Sequence, residues 1–146
     1  MIYSDSSFIL SLYVGDFGSE KASNLVAQAR ERLVWTTWHE LEFITAMEAR
    51  VAKGLHSRHE AESVYQALAA HRTSNTLYAD KKPSWKNVFT NGSQLARSFG
   101  AGILNRSEAI IHVAACLDLG IKNFWTLDER QISLAKEAGL IVNQAG

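Results

Sequence analysis

The sequence predicts an α/β fold, a three-layer α/β/α domain around a mostly parallel central sheet. Apolar runs at residues 1–3, 33–35, 123–126 and 140–142 have the length and composition of buried strands. Segments of helical period separate them, and strands alternating with helices generate a parallel sheet covered on both faces. Acidic residues follow several strands directly, where open α/β sheets place their sites.

Taken in order, residues 1–3 form the first strand, and the chain turns at Asp5, Ser6 and Ser7 into the apolar segment 8–14. After Gly15 and Gly18, residues 19–32 place Ala22, Leu25, Val26 and Ala29 on one helical face. Strand 33–35 is followed by a helix over about 38–53 that stops at Gly54. Residues 57–79 read as one further helix, with Val64, Ala67, Leu68 and His71 recurring at helical spacing. Lys81, Lys82 and Pro83 mark 80–85 as a loop, and 87–99 is helical up to Gly100 and Gly102. An apolar helix over 107–119 closes at Gly120, strand 123–126 follows, and helix 130–138 closes at Gly139 before the last strand, 140–142.

The 146 residues suit one domain, 1–146, with a real core. A hydrophobic fraction of 47% and a single proline exclude a disordered chain. A net charge of +0 argues against coating nucleic acid by bulk charge, yet leaves room for an enzyme that grips a few phosphates. The only cysteine, Cys116, lies in an apolar run, so neither a disulfide framework nor a zinc cluster is expected. No run is long enough to span a membrane and no signal peptide opens the chain, which predicts a soluble, cytoplasmic protein.

Asp5, Glu42, Glu108 and Asp128 are far apart in sequence, yet α/β topology draws them together and suggests a divalent-metal site. Each also has a structural alternative. Asp5 and Asp128 have the position and chemistry of helix N-caps. Glu40 and Glu42, two residues apart, point about 200° apart on a helix, so only one faces a given ion. Glu42 shares its stripe with the small residues Ala46 and Ala49, which favours it over Glu40. Glu108 follows Ser107 and equally suits the first turn of a helix as a dipole-stabilising acid.

Tyr3-Ser4-Asp5-Ser6-Ser7, His39-Glu40-Leu41-Glu42-Phe43, His112-Val113-Ala114-Ala115 and Thr126-Leu127-Asp128-Glu129-Arg130-Gln131 together resemble a PIN domain of the VapC-like ribonuclease toxin type. The similarity covers essentially the whole chain in the family's order. It implies a metal-dependent ribonuclease, the toxin of a type II toxin–antitoxin system, with a cognate antitoxin and a homodimeric state. By that resemblance Asp5, Glu42 and Asp128 match three acids of the family, with Thr126 and Ser7 as hydroxyl partners. The fourth acid, an aspartate three residues before the histidine matching His112, is replaced by Ala109. Glu108 is adjacent, about 100° round the helix, and shares a face with His112. Three readings stay open: Glu108 fills the corner, it serves only its helix, or the site has lost an acid outright.

Oxygen ligands select hard cations, so Mg²⁺ or Mn²⁺ is the expected cofactor. Ions held by carboxylates would activate a water and neutralise charge on an RNA phosphodiester. Arg97, Arg106 and Arg130, joined by Lys82 and Lys86, are the expected substrate contacts, and Trp85 is placed either to stack a base or to pack. His112, in an apolar helix, reads as a hydrogen-bonded packing residue rather than a ligand. Two rivals remain: a PIN-fold module that binds RNA or antitoxin without cleaving, and an aspartate-phosphorylating α/β protein. The second is disfavoured because Ser7 stands where an aspartyl phosphatase needs its second acid.

Overall fold

The computed structural model describes residues 1–145. Five strands form one parallel sheet: β1 (Ile2–Ser4), β2 (Leu33–Trp35), β3 (Tyr78–Asp80), β4 (Asn123–Trp125) and β5 (Ile141–Val142). Their spatial order is β3-β2-β1-β4-β5, and every pairing is parallel. The chain steps outward from β1 through β2 to β3, then returns to the other side of β1 with β4. The strand order therefore reverses between β1 and β4, the switch point where such sheets open a crevice at the strands' C-terminal ends.

Side chains alternate across these short strands and build two cores. Ile2, Leu33, Trp35, Tyr78 and Trp125 face α1 (Ser6–Ser11), α2 (Ser19–Gln28), α3 (Thr37–Ala52) and α4 (Arg58–Ser74). Tyr3, Val34 and Phe124 face α5 (Trp85–Phe99), α6 (Ser107–Asp118) and α7 (Glu129–Glu137). The fold is thus the three-layer α/β/α arrangement that the alternating pattern predicts. Gly120 and Gly139 end α6 and α7 at φ of +67° and +89°, left-handed values that glycine adopts without strain.

One element departs from the sequence reading. Residues 57–79 do not form one helix: α4 stops at Ser74, where Asn75 takes the left-handed conformation, and Tyr78–Asp80 then become edge strand β3. Periodicity gives no warning, since Tyr78, seven residues after His71, prolongs the helical spacing. What makes the strand is the neighbour: Val34↔Ala79 and Trp35↔Asp80 pair in register, and the Lys81 N–H donates to the Trp35 carbonyl at 2.8 Å. Cys116 is buried, and burial pushes its thiol up to about 12. No helix is long and apolar enough to cross a membrane among the described residues.

Candidate active site

The cavity at the switch point starts from the first turn of the chain. Asp5 leaves β1 with extended backbone and caps α1, its Oδ1 accepting the Phe8 N–H at 3.0 Å. Its Oδ2 accepts the Ser7 hydroxyl at 2.8 Å and the Thr126 hydroxyl at 3.1 Å. Three donors therefore hold a carboxylate that is only 6% exposed. Burial raises its pKa, against the lowering effects of His112 and of these hydrogen bonds.

Thr126 is the buried joint of the site. Beyond β4 its backbone is gripped by the Asn143 side chain, which accepts the Thr126 N–H at 3.0 Å and donates to its carbonyl at 2.8 Å, in the manner of an adjoining strand. Asn143 itself sits at φ +54°, a conformation that asparagine tolerates. The single Thr126 hydroxyl proton faces two acceptors, Asp5 Oδ2 and Gln131 Oε1 at 2.6 Å, while its oxygen accepts the Asp128 N–H at 3.1 Å. Asp128 caps α7, its Oδ1 accepting the Gln131 N–H at 2.9 Å.

Glu42 reaches the same cavity from α3. Its Oε1 accepts the Ser6 hydroxyl at 2.8 Å and lies against His112 Nε2 from α6. The other imidazole nitrogen meets the buried Tyr3 hydroxyl at 3.0 Å. Burial raises the Tyr3 pKa well above its ordinary value, so it stays a phenol, and because a carboxylate only accepts, the imidazole faces Glu42 with its Nε2–H. Glu40 points elsewhere, 3.8 Å from Arg72. Beneath these groups His39 donates Nε2–H to the Ser4 carbonyl at 2.7 Å and accepts the Thr36 N–H at 3.1 Å. Burial lowers its pKa to about 3, which keeps the ring neutral.

The cavity measures about 550 Å³ and is lined by all four acids, Asp5, Glu42, Glu108 and Asp128, together with Ser7, Arg106 and Arg130. Thr126, expected as a hydroxyl partner of the site and as a substrate-binding residue, lies fully buried under the floor, where its hydroxyl meets Asp5. Glu108 is exposed at the rim, with no hydrogen-bond or ion-pair partner among the described residues. Ala109 also lines the wall, and its carbonyl accepts the Gln131 side-chain amide at 3.0 Å. Arg130 is tied to the rim, its Nη1 donating to the Leu104 carbonyl at 3.4 Å while its own carbonyl accepts from Asn105 at 3.2 Å. Sequence reasoning read His112 as a packing residue, and the structure adds its bond to Glu42 across 70 residues. Ser6, Gln131 and Asn143 escaped it; only Gln131, three residues after an N-cap, carried a local signal.

Among the described residues, no group of three or more His, Cys, Asp and Glu side chains is arranged to hold an ion. The oxygen chemistry nonetheless suits a hard cation, because Mg²⁺ takes one or two carboxylates and completes its shell with water and substrate phosphate. Glu42 Oε2, Asp128 Oδ2 and the Glu108 carboxylate remain without protein donors among the described residues and line the one cavity.

No family sequence model matches the chain, and no curated protein does. Solved structures match over nearly its whole length. The chain is similar to VapC20 of Mycobacterium tuberculosis, described as a sarcin-ricin loop cleaving toxin, at TM-score 0.64 and 17% identity over 97% of both chains. It is similar also to FitAcB of Neisseria gonorrhoeae, at TM-score 0.61 and 15% identity, over 97% of this chain and 96% of the other. Identities this low establish architecture rather than activity: the chain shares the three-layer α/β/α fold of these two structures.

Proposed function

We propose that the protein is a metal-dependent endoribonuclease, the toxin of a toxin–antitoxin pair, hydrolysing RNA phosphodiester bonds in the cavity at the β1/β4 switch point. The observation that carries this reading is the convergence of five carboxylates, Glu129 beside the four candidate acids, and two arginines, from both helical layers, on one cavity. The similarity to a protein described as a sarcin-ricin loop cleaving toxin supports the substrate class. Asp5, Asp128, Glu42 and Glu108 would hold Mg²⁺ or Mn²⁺, completed by water and phosphate oxygens. When bound, the ion neutralises phosphate charge and makes the attacking water more acidic. Arg106 and Arg130 clamp the phosphates on either side of the scissile bond. His112 and Ser6 orient Glu42, and Thr126 and Ser7 orient Asp5. A cognate antitoxin and a homodimer belong to the same reading, as does a place in the cytoplasm.

The test is cleavage of structured RNA in Mn²⁺. Cleavage by the unaltered chain that EDTA abolishes supports the proposal. A second reading, a PIN-fold module that binds without cleaving, is favoured by Ala109 and by the lack of a three-residue ligand group. An inert protein in which Ala109→Asp creates Mn²⁺-dependent cleavage establishes that second reading instead.

A further inference from the structure

The charge of this neutral chain is unevenly distributed. Residues 81–107 contain five of its 15 Lys and Arg and none of its 15 Asp and Glu, so this stretch carries +5 and the remainder −5. The five cations, Lys81, Lys82, Lys86, Arg97 and Arg106, are all exposed, and none makes an ion pair among the described residues. Glu108, which follows the stretch directly, is exposed and unpartnered among the described residues, whereas the acids Asp80 and Asp118 near its other end are engaged. Asp80 pairs with Arg72 at 3.3 Å, and Asp118 accepts the Ser84 N–H at 2.7 Å.

α5 gives this charge a direction. Trp85, Val88, Leu95 and Phe99 turn inward, as does the buried Gly92, which faces Ile110 and Ala114 of α6. Lys86 and Arg97 are eleven residues apart, three turns, so they lie within about 20° of one another and about 17 Å apart along the outer face. Phe89, Thr90 and Ser93 lie on the same stripe, and Phe89 is 57% exposed. Past the C-terminal end of α5 the chain reaches Arg106, which lines the cavity.

We infer that the outer face of α5 binds the backbone of single-stranded RNA leading to or from the cavity. Cations spaced along a hydroxyl- and amide-bearing helix suit phosphates and sugars, and an exposed aromatic ring suits an unstacked base. An acidic protein would need an apolar seat beside the cations, yet Phe89 is the one large hydrophobic side chain exposed on α5. The inference rests on the proposed RNA substrate but not on cleavage.

The experiment measures binding of fluorescein-labelled oligouridylate by anisotropy, in EDTA, over a series of NaCl concentrations. Each single-strand phosphate contact contributes about 0.7 to the slope of log affinity against log salt, so Lys86→Gln with Arg97→Gln should flatten it by about 1.4. Lys21→Gln with Lys53→Gln, the same charge change on the opposite helical layer, should leave the slope unaltered. Phe89→Ala should weaken binding by about tenfold at constant slope. Equal flattening by both double variants, or none by the α5 pair, overturns the inference. So does an oligoglutamate peptide that binds the α5 face more tightly than the RNA. A protein that binds in this way but never cuts loses the nuclease reading and keeps this surface; one that cuts with an unaltered salt slope does the reverse.

Discussion

Asp5 and Glu108 are two acids on one cavity, built in opposite ways. Asp5 stands where a strand ends and a helix begins, so its backbone is fixed by pairing and its carboxylate by three donors. Glu108 occupies the first turn of α6, exposed and held by nothing among the described residues. The neighbouring position that would aim a side chain into the wall is Ala109, whose carbonyl is already tied to Gln131. The comparison shows that lining a cavity is not the same as being preorganised in it. A carboxylate oriented by its neighbours costs little to hold in place during reaction, whereas a free one must be ordered by whatever binds.

Replacing the fixed acid should have the largest effect. Asp5→Ala is expected to reduce RNA cleavage by at least about 100-fold, and loss of the α1 cap should cost roughly 1 kcal/mol in urea unfolding. Full activity in this variant would make the Asp5 corner dispensable and end the comparison.

Thr126→Val removes the hydroxyl shared by Asp5, Gln131 and the Asp128 N–H while preserving shape. Buried partners are left unsatisfied, so a loss of about 1–3 kcal/mol is expected. Wild-type stability here would mean that the floor does not hold Asp5.

Acid titration probes the support beneath. His39 in the folded protein takes a proton only near about 3, whereas in the unfolded chain it does so near 6.5. The unfolded state therefore binds more protons between those values, and stability should fall as pH drops from about 6.5 toward about 3. Asp5 acts in the opposite sense, because its raised folded pKa favours the native state as its carboxylate protonates. His39→Gln should flatten the descent followed by circular dichroism; an unchanged profile would assign it to other groups.

Glu108→Gln should do least. Stability is expected to stay within about 0.5 kcal/mol, and cleavage to fall by less than about tenfold, ~1.4 kcal/mol of transition-state stabilisation. A loss as large as that of Asp5→Ala would show that substrate or metal orders Glu108 into an equal partner.

Much of the frame could be read from residues alone. The strand at Leu33–Trp35, the helix ends at Gly120 and Gly139, and the N-cap positions of Asp5 and Asp128 all follow from local chemistry. β3 was hidden because Tyr78–Asp80 is too short to show a period of two and follows directly on a helical pattern. Glu42 could be preferred over Glu40 from helix faces, but its bond to His112 had no local trace. Asn143 was invisible for the same reason: its amide acts on Thr126, 17 residues earlier.

The sequence by itself determined the alternation of strands and helices, and with it a parallel three-layer fold having acids at its switch point. That information is local, written in periodicity, caps and stops that act within a few residues. The tertiary structure alone decided which groups are bound to one another: Thr126 with Asp5 across 121 residues, His112 with Glu42 across 70, and Glu108 with neither. Those relations depend on how whole layers pack. A hydrogen bond acts over about 3 Å, whatever the distance along the chain.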